Sequence, residues 1–210
     1  AWPLDEKTHR LWANRGGQYG WAIPQLYAEL AYDKLSVKMG HFYTLLGYQV
    51  VPSVGNFFYS IPYTFNFSEA FTHTGVLAAY KVNDDVTLHG GWVLGWDTGF
   101  NQQNGGSAAH FGTTTKLTDE ITLAYMATAG NLGWIGNGYS QSVVINYAFA
   151  DNWEYVFQSD FVDVNSPPGS INIFTGAPQT NYDTIGVNQY LFYSLMTGVK
   201  AGARLEWWKA

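Results

Sequence analysis

The chain has 210 residues, a formal net charge of −6 and no cysteine, and only 12% of its residues are charged whereas 18% are aromatic. The hydrophobic fraction of 47% excludes a disordered chain, the acidic balance argues against a nucleic-acid partner, and the lack of cysteine excludes disulfides and thiolate chemistry. Gly, Ser, Thr and Asn interrupt every apolar stretch before it reaches the roughly 18 residues of a transmembrane helix.

Alternation of side-chain type with a period of two residues recurs along the whole chain and predicts about ten β-strands. The clearest case is 86–97, where Leu88 and Trp92 fall on one face and Thr87 and His89 on the other. In chain order, the predicted strands are 22–32, 35–43, 74–82, 86–97, 109–117, 121–128, 142–149, 153–161, 184–194 and 199–207.

The links between these strands alternate in length. Short turns, most of them with Asp or Asn, are predicted at 32–34, 82–85, 117–120, 150–152 and 194–197. Longer links occupy 44–73, 97–108, 129–140 and 162–183. An up-and-down meander with all tight turns at one end is typical of antiparallel transmembrane β-barrels, whereas a soluble β-sandwich would mix link lengths at both ends. A soluble all-β protein with aromatic sugar-binding grooves remains the alternative.

The topology also predicts a fragment of a larger barrel. If the short turns are periplasmic, the first predicted strand starts and the last one ends on the extracellular side, so both termini of this sequence lie there, whereas bacterial barrels begin and end in the periplasm. We therefore expect residues 1–210 to form one β-barrel domain, with about ten visible strands out of twelve or more. Residues 1–19 are expected to form an extracellular segment before the first visible strand.

In a bilayer the apolar parity must face lipid and the polar parity the lumen. This assigns the following residues as pore-lining: Glu29, Lys38, His89, His110, Lys116, Glu154, Asp160, Lys200, Arg204 and Glu206. Aromatic residues near strand ends are expected to form interfacial girdles: Tyr27, Tyr32, Trp92, Trp96, Trp153, Tyr155 and Trp207.

The segment 50–72 is unusually aromatic for a loop and carries a single charge, Glu69. Exposing it would leave a large apolar patch in water, so we expect it to be buried. It either folds into the lumen as a constriction or covers the barrel rim or a neighbouring subunit. The residues concerned are Phe57, Phe58, Tyr59, Tyr63, Phe65, Phe67 and Phe71.

Motifs for catalysis, nucleotides or cofactors are absent from the sequence, so we expect no enzyme activity, no cofactor and no resident metal. His89 and His110 fall on adjacent lumen-facing strands and could share a metal, although we favour a solvated lumen pair without a metal. The oxygen-rich segment 97–107 could hold Ca²⁺ or be a plain polar, glycine-rich loop.

Several stretches resemble the OmpL-like outer-membrane β-barrel porin family. They lie at 40–43, 56–60, 69–75, 94–100, 155–160 and 188–193, and the resemblance extends over about 20–208. It implies an outer-membrane diffusion channel and supplies no catalytic residue.

Two functional hypotheses follow. The first is a porin in the outer membrane of a Gram-negative-type bacterium, with membrane lipid and small hydrophilic solutes as partners and no nucleic acid. The second is a structural or adhesive barrel with a filled lumen, whose aromatic loops bind a partner protein or glycan. Self-association into a homo-oligomer is left open by the sequence.

Overall fold

A computed structural model describes residues 23–171, 176–178 and 180–210. Ten antiparallel strands in this part of the chain form one sheet in sequence order, with β1 and β10 at its edges. The strands are β1 Leu26–Tyr32, β2 Leu35–Tyr43, β3 Thr72–Lys81, β4 Val86–Val93, β5 Ser107–Lys116, β6 Ile121–Asn131, β7 Asn137–Ala150, β8 Trp153–Asn165, β9 Asn181–Met196 and β10 Val199–Lys209.

The predicted all-β, up-and-down architecture and its ten strands are confirmed. The link predicted at 129–140 is much shorter, because β6 and β7 remain paired as far as Asn131 and Asn137. The expected extracellular segment 1–19 lies outside the described residues.

Local chemistry explains the tight turns at one end of the sheet. Asp33 adopts a left-handed conformation, with φ of 49°, between β1 and β2, as Asp tolerates better than most residues. Between β3 and β4, the Asn83 side chain accepts hydrogen bonds from the backbone N–H groups of Asp85 and Val86 at 2.9 and 2.8 Å. The Asn83 side chain thus supplies acceptors for backbone N–H groups whose ladder pairing the turn interrupts.

The sheet is strongly curved, as one short connection demonstrates. Trp208 on β10 donates a hydrogen bond to the Ser68 hydroxyl at 3.0 Å, and β3 begins only four residues after Ser68, at Thr72. Four extended residues span at most about 14 Å. In a flat sheet the seven strand spacings between β3 and β10 would separate these points by about 34 Å. The sheet therefore wraps around its inner face.

That inner face carries the core. Buried inner side chains of β2 to β6 and of β8 pack with residues of the connecting loops. The cluster comprises Phe42, Leu46, Ala70, Leu77, Val93, Trp96, Ala108, Met126, Leu132, Ile135, Val162 and Val164. The large apolar side chains of the opposite face, such as Leu88, Trp92 and Leu205, are exposed. The described residues include a short α-helix, Tyr63–Phe67, and none of their helices is long and apolar enough to cross a membrane.

Candidate functional site

All ten residues predicted to line a pore lie on the inner parity of the sheet. The strand registers connect them: Glu29 pairs with Lys38 across β1 and β2, and Lys200 and Glu154 lie on either side of β9 and form an ion pair at 2.7 Å. At the turn end, Lys116 pairs with Asp119. Ionisable side chains are therefore concentrated on the concave side. The convex side is predominantly apolar, and its charged residues Asp163, Asp183 and Lys209 lie near the loop ends of their strands.

The segment between β2 and β3, residues 44–71, lies against this concave side, and we call it the inner loop. Its helix Tyr63–Phe67 contacts β9 and β10. Near its start, the Gly47 N–H donates to the Ser142 hydroxyl on β7 at 3.0 Å. The loop thus crosses in front of the strands β7 to β10.

Aromatic rings attach the inner loop to β9 and β10. Tyr48 packs on Tyr190 with ring centroids 4.8 Å apart, and Phe57 meets Phe192 edge to face at 5.2 Å. Further along, Tyr63 stacks on Trp208 at 5.7 Å. Such pairs add about 0.5–1.5 kcal/mol each beyond the area they bury.

Hydrogen bonds to charged side chains fix the register of this docking. The Arg204 guanidinium donates to the carbonyl and hydroxyl oxygens of Ser60 at 2.6 and 3.0 Å. The Glu206 carboxylate accepts from the backbone N–H and the hydroxyl of Thr64 at 2.8 and 2.9 Å. Gly186 on β9 makes room for Thr64, because a Cβ at position 186 would lie 2.3 Å from the Thr64 hydroxyl oxygen.

Two buried carboxyl groups meet where the inner loop returns to β3. Glu69, 2% exposed, and Asp160 on β8, 0% exposed, both accept hydrogen bonds from the same Gln158 amide nitrogen at 2.6 Å. Burial, together with the nearby Asp160, raises the pKa of Glu69 well above its usual value, and the Gln158 hydrogen bond offsets only part of this.

A family model described as "Putative beta-barrel porin-2, OmpL-like" matches residues 5–210. The chain belongs to this family. No curated protein and no solved structure matches the chain. Membership agrees with the architecture above, in which one antiparallel meander presents ionisable side chains to a concave interior.

Two of the aromatic residues assigned to the girdle of this porin-family chain are placed differently by the structure. Tyr27 shares the inner parity of Glu29, and the Lys38 ammonium lies 4.4 Å from its ring centroid. Trp96 is 2% exposed and belongs to the core cluster. Gly95, with φ of 113°, breaks the alternation just after β4 and turns Trp96 inward. The other five, Tyr32, Trp92, Trp153, Tyr155 and Trp207, lie on the outward parity.

The expectation that the aromatic segment is buried holds only in part. Phe65 and Phe71 are buried and pack on each other with centroids 4.9 Å apart, and Phe58 and Phe67 are half-buried. Phe57, Tyr59 and Tyr63 are exposed, so the burial expectation is wrong for them. One side of the inner loop packs apolar side chains on the strands, and its other side is exposed.

The histidines form a pair that the sequence did not single out. The rings of His73 on β3 and His110 on β5 lie 4.5 Å apart. Alternation within a strand does not show how residues of two non-neighbouring strands are aligned, so it did not predict this contact. His110 also pairs with the Thr128 hydroxyl at 2.9 Å. His89 instead faces the Thr114 hydroxyl at 3.3 Å.

The candidate calcium loop has a structural use for its one acidic side chain. The Asp97 carboxylate accepts hydrogen bonds from the backbone N–H groups of Phe71 and Thr72 at 2.9 and 2.8 Å. It thereby fastens the end of the inner loop to the loop after β4. Within residues 23–171, 176–178 and 180–210, no group of three or more His, Cys, Asp or Glu residues could hold a metal ion.

Proposed function

We propose that this porin-family chain forms a water-filled channel for passive diffusion of small hydrophilic solutes, with the inner loop as its constriction. The observation that carries the proposal is that most charged side chains of the strands and the inner loop share the concave face, while the convex face is predominantly apolar. A polar lumen inside an apolar outer surface is the arrangement that transmembrane β-barrels require.

The convex face supports a lipid partner and a place in the outer membrane of a Gram-negative-type bacterium. Near the short turns, outward rings lie next to one another: Phe149 and Trp153 have centroids 6.1 Å apart and Trp153 and Tyr193 4.6 Å apart. Toward the other end of β7 and β8, Tyr139 contacts Phe161 at 5.7 Å. Two levels of outward aromatic rings suit the two interfaces of a bilayer.

The concave face supports discrimination by charge. Lys200 and Glu154 pair beside the inner loop, and Arg204 and Glu206 hold it. Charged groups of both signs therefore lie next to the proposed constriction. Charges at the narrowest point of a pore set its ion selectivity, so substitutions of Lys200 or Glu154 should alter the cation-to-anion permeability ratio.

Conductance measurements test the proposal directly. The natural full-length protein in planar bilayers should give discrete ohmic steps. Gly186→Ala, which pushes Thr64 away from β9, should change the step size. Gly90→Ala is the matched control, because a Cβ at position 90 meets nothing within 4 Å. If both the wild type and Gly186→Ala fold but neither conducts, the channel proposal is overturned.

A filled structural or adhesive barrel is the second candidate, favoured by the apolar cluster inside the sheet. Leu46, Trp96, Leu132 and Ile135 come from loops and pack on inner side chains of the strands, so the concave side is partly filled with hydrocarbon. Polyethylene glycols of graded size discriminate the two functions: a channel is blocked by small polymers and passes current with large ones, whereas a filled barrel conducts with neither.

A further inference from the structure

The pair of buried carboxyl groups has a consequence for the inner loop. Glu69 belongs to the loop and Asp160 to the wall, and both accept from one Gln158 nitrogen at 2.6 Å. Their two bonded oxygens are therefore no more than 5.2 Å apart. At this distance, two ionised carboxylates would repel each other, and burial would deprive both of their hydration.

No positively charged side chain of the described residues forms an ion pair with either carboxyl group. In the described residues, Lys116 and Lys200 form ion pairs with other carboxylates, and neither Glu69 nor Asp160 has a salt bridge. Ser142 on β7 lies opposite Asp160 in the strand register and accepts the Gly47 N–H. The other titratable groups near the pair are Tyr190 on β9 and Arg204 and Glu206 on β10.

We propose that Glu69, Gln158 and Asp160 form a proton-binding latch that keeps the inner loop against the wall and releases it when the shared proton is lost. With one proton between them, one carboxyl is neutral and the single remaining negative charge is stabilised by the hydrogen bond from Gln158. Removal of that proton places two negative charges in the same buried site. Only Glu69, on a loop without ladder hydrogen bonds, can then move out to water.

The sign of the pH effect follows from linkage. The Glu69 carboxyl holds its proton more tightly when the loop is docked, since burial and Asp160 raise its pKa. Protonation of Glu69 therefore stabilises the docked loop fully at pH values below the ordinary glutamate pKa. This stabilisation is lost as the pH rises through the higher pKa that Glu69 has in the docked state. This inference rests on the proposed channel function, and it predicts that the pore widens at alkaline pH.

Conductance against pH tests the latch in the natural full-length protein in planar bilayers. The wild type should show a reversible rise in conductance with pH. Glu69→Gln, which keeps the shape and removes the titration, should remain at the low-pH conductance throughout. Glu120→Gln, in the exposed turn before β6, is the matched control and should titrate like the wild type. An unchanged pH profile in Glu69→Gln overturns the latch.

A disulfide provides a second test, because the chain has no cysteine of its own. The hydroxyls of Ser68 on the loop and Thr184 on β9 lie 2.7 Å apart, so Ser68→Cys with Thr184→Cys should form a bond that ties the loop to the wall. The oxidised variant should lose the alkaline rise and regain it in reductant. A rise that persists in the oxidised protein contradicts release of the loop.

Limited proteolysis separates failure of the latch from failure of the channel. In detergent, chymotrypsin should cut within 57–67 faster at alkaline pH in the wild type than in Glu69→Gln at the same pH, whether or not the protein conducts. Equal cleavage rates in the wild type and Glu69→Gln overturn the latch. Cleavage that depends on pH in a protein that does not conduct overturns only the channel proposal. If a chelator releases the loop at neutral pH and added Ca²⁺ holds it at alkaline pH, the pair binds a cation and the proton proposal is wrong.

Discussion

The strand wall and the inner loop are stabilised in different ways. Each strand of the wall is held by a continuous backbone ladder to its neighbours, from Leu26 opposite His41 to Lys209 opposite Ile185. The inner loop is held by side chains, chiefly the rings of β9 and β10 and the polar groups of Arg204, Glu206 and Gln158. A few substitutions should therefore move the loop and leave the wall folded.

The largest effect on the loop should come from Phe65→Ala. Phe65 is 2% exposed and packs on Phe71, and truncating a buried phenylalanine costs about 3–5 kcal/mol. Hydrogen exchange should show lost protection in the inner loop with the ladders of β7 to β10 still protected. Tyr59→Ala, at a fully exposed ring in the same loop, is the control and should change neither.

The wall should respond most strongly to charge on its outward face. Val143 lies on the outward parity, four residues from Tyr139 and four from Tyr147, the outward rings near either end of β7. Val143→Arg should therefore reach the middle of the bilayer and destabilise the barrel by about 2–4 kcal/mol, measured by reversible unfolding from liposomes. His89→Arg, on the inner parity of β4, should cost much less. Equal costs at both positions would contradict a lipid-facing convex side.

A smaller effect is expected where a single anchor of the loop is removed. Thr64→Val keeps the size of a fully buried side chain and deletes its hydrogen bond to the Glu206 carboxylate. We expect a loss of about 1–2 kcal/mol in loop docking, visible as faster hydrogen exchange at 60–68. Thr87→Val on the inner face of β4 should leave that exchange unaltered, and an equal change in both variants would argue against a local anchor.

The smallest effect should come from Asp119→Asn. The Lys116 ammonium donates to Asp119 at 2.5 Å and lowers the pKa of that carboxyl, so the pair stabilises the turn above the usual aspartate pKa and loses this as pH falls. Both groups are exposed and screened by solvent. Neither the unfolding midpoint nor the conductance should change measurably. A loss as large as that of Thr64→Val would show that this turn couples to the loop.

Much of the wall could be predicted because a strand in a barrel repeats one local rule. Outward side chains must be apolar and inward ones can be polar, so a period of two residues marks both the strand and its faces. That rule assigned Arg204, Glu206 and Asp160 to the inner parity. It also places Tyr27 on the same face as Glu29, two residues away. Tyr27 was nevertheless assigned to the girdle because it is aromatic.

The rule fails where the backbone leaves the extended conformation. Trp96 follows the alternation of β4 in the sequence, yet the positive φ of Gly95 directs it into the core. A glycine in the sequence does not by itself indicate this conformation, because glycine adopts positive and negative φ about equally readily. Only the packing of Trp96 beside the loop residues Leu132 and Ile135 decides its direction.

Among the described residues, the sequence by itself determined the number and order of the strands and, within each regular strand, which side chains share a face, since these depend on neighbours within the same strand or turn. The tertiary structure decided where the inner loop goes. Thr64 meets Glu206 and Glu69 meets Gln158 across 142 and 89 residues, and no local pattern encodes such distances. The many apolar side chains of the loop are stabilised by packing on another surface, and the curvature of the sheet places β7 to β10 close enough to provide it.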